Sequence, residues 1–394
     1  MRKMFVKPLW LLVDSLTLNV NKYYSFLMKS QDWSREELEE YQLTKLRELS
    51  NNFGLGIDSF EDLKSRPLTS KQDIPLQYTP RIRNYITHET SGSTGEPRRI
   101  YVPSEHWPRK EAVFMRCWSW LGWRGQPVLR LIAGKPSWPW YDRWRNVKIL
   151  NYREVTPEHV NYVIQKRPFL IHGRGGGVRG TCEGVIKAGR ADVLKDVGLV
   201  WLGESSEGHR QRLEPYVRGF YEGYGLAELA PVASPCEYNN MHINMECGVI
   251  ESVDGEIVIT DINNTAMPFI RYRTGDDGKI RDSDCPCGRQ HPILYDVRGR
   301  RTDYYDGPEV KKPIHWWLVS PISHDYIDLV KAWRAEVFPK EGRIVIHFVF
   351  RDKEDFARLE PYRRWVEEQT GLRCEFQKQD SATKWKRDLV RVIT

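Results

Sequence analysis

Between residues 105 and 225 short apolar runs alternate with stretches of helical periodicity, and this alternation restricts the fold more than any other feature. The spacing predicts helices over 105–121, 157–166, 178–188 and 207–217. It predicts strands over 128–133, 147–151 and 199–202, a buried strand over 169–172, and Phe220-Tyr221 entering Gly223-Tyr224-Gly225. Short strands separated by helices imply a parallel sheet with both faces covered. Ligands of such sheets bind beyond the carboxyl ends of the strands. From residue 248 the pattern changes to β runs, at 248–253, 255–260 and 278–281. After residue 300 an apolar run over 345–350 and a helical pattern near 354–368 read as a small α+β unit. The expected architecture is α/β: a large domain over 1–300 with a helical lead-in over 1–80, and a small mobile domain over 301–394. In the lead-in, Ser34 and Glu37 form a capping box ahead of the stripe Leu38, Tyr41, Leu46 and Leu49.

Composition narrows the class. With 394 residues the chain can bury a large core, and its 40% hydrophobic and 29% charged residues are those of a globular protein. The net charge of +7 favours anionic ligands but is too diffuse for a nucleic-acid surface. No run approaches the roughly 20 apolar residues of a membrane span. The first 20 residues read as a docked amphipathic helix, not a signal peptide. Seven unevenly spaced cysteines argue against a disulfide framework and for a reducing, cytoplasmic setting.

Residues 90–97, Thr-Ser-Gly-Ser-Thr-Gly-Glu-Pro, interleave hydroxyls with glycines. Such a loop lets backbone N–H groups and hydroxyls approach a phosphate, although an ordinary Gly/Ser turn has the same composition. It lacks the Gly-Lys-Ser/Thr ending of a Walker loop. Downstream come Gly223-Tyr-Gly-Leu-Ala-Glu228, Arg271-Tyr-Arg-Thr-Gly-Asp276, Gly299-Arg-Arg-Thr-Asp303 and Lys384-Trp-Lys-Arg387. In this order and at these separations the segments resemble the adenylate-forming superfamily, and within it the phenylacetate–CoA ligase-like branch.

The resemblance implies an AMP-binding domain followed by a small mobile one, with a hinge near Asp303. It implies ATP-dependent, AMP-forming activation of a carboxylic acid and transfer to a thiol, coenzyme A or a carrier protein. Ser91, Ser93, Thr94 and Gly95 would bind phosphate; Gly203, Glu204, Tyr224 and Gly225 would line the nucleotide site. Glu228 would hold Mg²⁺, because a hard cation takes carboxylate oxygen; a solvated helix cap is the alternative. Asp276 would accept from both ribose hydroxyls with Arg300 assisting, or simply form a turn with Asp277 and Gly278. Lys384 would bridge carboxylate and leaving oxygen as a mobile cation.

Two positions depart from the superfamily's pattern: Ala227 stands where a Thr or Ser hydroxyl is common, and Thr383 where glycine usually precedes the lysine. These favour the alternative reading, a non-catalytic or amide-forming zinc-containing homologue acting in surface-polysaccharide biosynthesis. Cys236, His242, Cys285 and Cys287 supply three sulfurs and an imidazole, a set suited to structural Zn²⁺ or else to plain reduced thiols. Some members of the resembled branch carry zinc at this place. The run Gly173-Arg-Gly-Gly-Gly177 reads as a flexible loop. Seven tryptophans between Trp107 and Trp144 suggest an aryl acid pocket or ordinary core packing. No nucleic-acid partner is expected, and the choice between monomer and homodimer is open.

Overall fold

The computed structural model describes residues 9–75, 77–89, 98–133, 145–203, 206, 209–226, 229, 231–300, 307–308, 310, 314, 326, 329–352, 355–380 and 390–392. The lead-in holds helices α1 (Leu9–Ser30), α2 (Arg35–Phe53) and α3 (Phe60–Ser65). The capping box at Ser34 and Glu37 is formed, and Leu38, Leu46 and Leu49 face inward. Helix α1 runs on to Ser30, ten residues past the expected stretch, because Val20 and Leu27 pack into the core around α4 (His106–Trp120). No described helix is long and apolar enough to cross a membrane.

Between the lead-in and α4 lie β1 (Tyr85–Glu89) and β2 (Arg99–Pro103), an antiparallel pair whose connection carries residues 90–97. Next come β3 (Val128–Ile132), β4 (Val147–Asn151), α5 (Pro157–Lys166), β5 (Leu170–Arg174), α6 (Gly175–Lys187), β6 (Gly198–Leu202), α7 (His209–Leu213) and β7 (Gly219–Gly223). The strands form an all-parallel sheet in the order β4-β3-β5-β6-β7. One face packs on α1 and α4, the other on α5 and α6. Helix α4 is buried almost all round, which is why its apolar pattern carries no polar stripe. Full burial of a side chain such as Trp118 contributes about 1.5–3 kcal/mol.

Two expectations change here. The glycine run is no loop: Gly173 lies in β5, and Gly175 to Gly177 open α6. A Cβ on Gly173 would stand 2.4 Å from the Leu131 carbonyl oxygen, and one on Gly175 would stand 2.3 Å from the Trp201 ring. The run therefore serves close strand and helix approach. The 207–217 pattern yields a five-residue helix followed by a 3₁₀ turn at Glu214–Tyr216.

The second half holds β8 (Ala233–Pro235), β9 (Met241–Ile243), β10 (Gly248–Val253), β11 (Glu256–Asp261), β12 (Tyr272–Arg281) and β13 (Ile293–Arg300). They make a six-stranded antiparallel sheet, β10-β11-β12-β13-β9-β8. Asp276 to Gly278 lie within β12, with a register shift beyond Asp277, so they do not form the simple turn that was the alternative for Asp276. The C-terminal unit comprises β14 (Val330–Phe338), β15 (Arg343–Phe350), α8 (Glu360–Thr370), β16 (Arg373–Lys378) and β17 (Val390–Val392). Its sheet, β16-β15-β14-β17, has its own apolar core. The helix begins at Glu360, six residues later than expected, after a 3₁₀ turn at Ala357–Leu359.

Candidate nucleotide cleft and metal centre

The carboxyl edge of the parallel sheet and the antiparallel sheet meet at Tyr224. Its backbone N–H donates to the Ala233 carbonyl at 3.0 Å, and its hydroxyl donates to Asp276 Oδ2 at 2.6 Å. Asp276 stands opposite Arg300 in the β12–β13 ladder. The segment before it is fixed from both sides. Gly275 N–H donates to Glu256 Oε1 at 2.9 Å, and Arg273 grips Glu256 Oε2 at 2.6 Å. Thr274 Oγ1 accepts from Asp276 N–H and donates to the Ile257 carbonyl. Gly203 closes β6 at φ +76°, a conformation that favours glycine, and in the ladder Leu202 lies level with Gly223. Thus Gly203, Tyr224, Gly225 and Asp276 border one edge. Ser91, Ser93, Thr94, Gly95, Glu204, Glu228 and Lys384 lie outside the described residues, as does the Arg300 side chain.

A second cluster lies where β8, β9 and the turn before β13 converge. Cys236, His242, Cys285 and Cys287 place their ligand atoms within 4.8 Å of one another. Cys236 Sγ and Cys285 Sγ are 3.6 Å apart, and Cys287 Sγ is 3.3 Å from His242 Nε2. Tetrahedral zinc with bonds of about 2.0–2.3 Å sets ligand separations of roughly 3.5–3.8 Å, so the two short separations lie near that range and the wider ones would close by up to about 1 Å around the ion. His242 Nδ1 lies 2.8 Å from the His291 carbonyl, a bond that fixes the tautomer and aims the Nε2 lone pair at the sulfurs. Burial pushes the His242 pKa down to about 4, which keeps the ring in the neutral form a metal requires. Burial opposes ionisation at Cys285, but hydrogen bonds from the Cys287 backbone and from Asn240 outweigh it and lower that thiol's pKa.

Behind the cluster is a network that gives no sequence signal. Arg116 Nη1 donates to Glu246 Oε1 at 2.5 Å, Ser30 Oγ donates to the same oxygen, and His291 Nε2 lies 3.2 Å from it. Arg116 also reaches Asn244 Oδ1 and lies over the Trp120 ring. Burial opposes the charge on Glu246, yet Arg116 and His291 hold its carboxyl well below the usual range. A second buried set joins Glu111 to Arg130 at 2.6 Å and Arg145 at 3.0 Å. Despite burial, the two guanidinium groups bring the Glu111 pKa down to about 2. The tryptophans at 118, 120 and 123 are buried between α1, α4 and the sheet or beside the histidines, so they serve packing; Trp138, Trp140 and Trp144 lie outside the described residues.

No family model matches the sequence, and no curated protein matches it. Among solved structures the fold matches 2-hydroxyisobutyryl-CoA ligase in the postadenylation state in complex with 2-HIB-AMP. The TM-score is 0.62 at 16% identity, over 97% of this chain and 90% of that one. The same ligase in an open conformation with 2-HIB-AMP and CoA matches at TM-score 0.54 and 17% identity, covering 95% and 90%. AtGH3.15 acyl acid amido synthetase in complex with 2,4-DB matches at TM-score 0.53 and 12% identity, covering 96% and 94%. These identities speak to fold alone: the chain has the mixed α/β fold of adenylate-forming ligases, C-terminal domain included.

Proposed function

We propose that the chain is an AMP-forming acid ligase of the phenylacetate–CoA ligase-like kind, which joins a carboxylate to the α-phosphate of ATP and then passes the acyl group to a thiol, most simply coenzyme A. The observation that carries the reading is the Tyr224–Asp276 hydrogen bond at the mouth of the parallel sheet, on a fold shared with acid ligases. Asp276, steadied by Tyr224, would accept from the two ribose hydroxyls, with Arg300 opposite. Ser91, Ser93, Thr94 and Gly95 would cradle the phosphates, while Gly203, Glu204 and Gly225 would border the base and sugar. Glu228 would supply the carboxylate for Mg²⁺, which offsets phosphate charge when bound. The domain over 301–394, hinged near Asp303, would bring Lys384 to the first half-reaction and withdraw it for the second. Cys236, His242, Cys285 and Cys287 would hold a structural Zn²⁺ in a reducing, cytoplasmic setting.

The deciding experiment is ATP–pyrophosphate exchange over a panel of carboxylic acids, followed by product analysis with CoA and with amines. Exchange with thioester formation supports the reading; exchange with amide formation moves the acceptor to an amine. Absence of exchange with every acid would overturn it.

Lys384→Ala should slow acyl-adenylate formation by about 10²-fold or more and slow thioester formation from supplied acyl-adenylate far less. Lys386→Ala should leave both half-reactions nearly intact. In an extended segment the two residues are roughly 6–7 Å apart, too far to substitute at one phosphate. A selective defect in Lys386→Ala instead would assign the role to that lysine.

Purified protein should carry about one zinc ion per chain, as four filled positions require. Metal analysis of Cys285→Ser/Cys287→Ser should show its loss, with a melting midpoint several degrees lower. Full zinc occupancy in that double variant would sink the assignment.

A further inference from the structure

Strand β5 carries two polar side chains that the proposed reaction leaves unused. Side chains alternate along a strand, so His172 and Arg174 share one face of the sheet, the face packed against α4. The His172 ring stands edge-on to Phe114 at 4.8 Å and to Trp118 at 5.8 Å. Trp118 Nε1 donates to His172 Nδ1 at 2.9 Å. An indole N–H can only donate, so Nδ1 accepts and the neutral ring carries its proton on Nε2. Burial, reinforced by Arg130, pushes the His172 pKa down to about 3, so the ring is neutral near pH 7. His172 is only 2% exposed, and among the described residues its ring is bonded through Nδ1 to Trp118, which leaves Nε2–H to a ligand.

Two residues further, at the carboxyl end of β5, Arg174 Nη1 donates to the Gly203 carbonyl at 3.2 Å. A Cβ on Gly203 would stand 2.4 Å from that nitrogen, so the guanidinium rests on the turn that borders the nucleotide segment. In the ladder Arg174 is level with Leu202, and Leu202 with Gly223. Two strand spacings place the Arg174 and Gly223 backbones roughly 10 Å apart. No carboxylate among the described residues pairs with Arg174.

We infer that Arg174 and His172 select the acid: Arg174 receives a second carboxylate of the substrate, and His172 Nε2–H donates to an oxygen between it and the activated carboxyl. The inference rests on the adenylation reading. With the ribose on the Asp276 side of Tyr224, the acyl group runs along the edge toward β6 and β5. The substrate class is then a short, oxygen-bearing dicarboxylic acid, not an aryl or simple alkyl acid. The tryptophans placed in the core agree with this.

The test uses the full chain with malate, succinate, butyrate and phenylacetate, read both by pyrophosphate exchange and by calorimetric binding. Malate and succinate should exceed butyrate and phenylacetate in kcat/KM by about 10-fold or more, as a charge-assisted contact gives. In Arg174→Ala the succinate-to-butyrate ratio should fall by at least that factor, and Arg174→Lys should restore part of it. His172→Phe should lower the malate-to-succinate ratio, with the melting midpoint recorded to show that the variant folds. Preference for butyrate or phenylacetate, or an unchanged ratio in Arg174→Ala, would overturn the inference. If no acid supports exchange but malate binds and Arg174→Ala abolishes that binding, the adenylation reading falls and the acid selection stands. If neither dicarboxylate binds nor reacts, the selection is overturned.

Discussion

Asp276→Ala is expected to lower kcat/KM for ATP in pyrophosphate exchange by about 10²–10⁴-fold. A carboxylate that accepts from two ribose hydroxyls makes two charge-assisted hydrogen bonds, each of about 1.5–3 kcal/mol, and every 1.4 kcal/mol is tenfold. The fold should survive. The side chain lies at the cleft, and the strand around it is held by Glu256, Thr274 and Arg273. Tyr224→Phe should show a milder version, about tenfold, because it removes only the 2.6 Å bond that orients the carboxylate. The comparison requires both variants to melt near the wild-type midpoint. Wild-type exchange kinetics in Asp276→Ala would remove this residue from the nucleotide site.

Glu246→Ala should produce the largest loss of stability, about 3–5 kcal/mol, because it strands a fully buried guanidinium. For a chain of this size that is a fall of roughly 5–15 °C in the melting midpoint. It would also loosen α1, whose Ser30 bonds the same carboxylate. Glu246→Leu combined with Arg116→Leu should be much less harmful than either single change, since an apolar pair leaves no unpaired charge. The contribution of Glu246 also has a pH sign. Its native pKa is depressed, so the stabilisation is complete above the unfolded value near 4.3 and is lost as pH falls toward the native one. Denaturation curves of the single and double variants at neutral pH test the coupling, and wild-type curves at falling pH test the sign. Single and double variants of equal stability would show that Arg116 and Glu246 are not coupled.

The parallel half was legible because β/α alternation is written locally. Apolar runs of five residues such as Gly198–Leu202, spaced by helical periods, leave few arrangements that bury both kinds of element. The capping box at Ser34 was equally local. The glycine run was misread for the opposite reason. Nothing within 173–177 announces that Leu131, Trp201 and Tyr152 will press against it from other elements. The same holds for the start of α8, where the helical period extends back past the residue at which the chain turns.

The sequence by itself determined the chemistry on offer: a glycine–hydroxyl loop, an acid after Thr-Gly, three thiols and an imidazole, and a succession of strands that must pair in parallel. Only the tertiary structure decided which of these groups meet. Tyr224 and Asp276 are 52 positions apart, Cys236 and Cys285 are 49, and Arg116 and Glu246 are 130. The physical reason lies in range. Periodicity and capping act over a few residues, whereas the meeting of distant side chains depends on strand order and register. These follow from burial summed over the whole core, to which each sequence position adds only a small part.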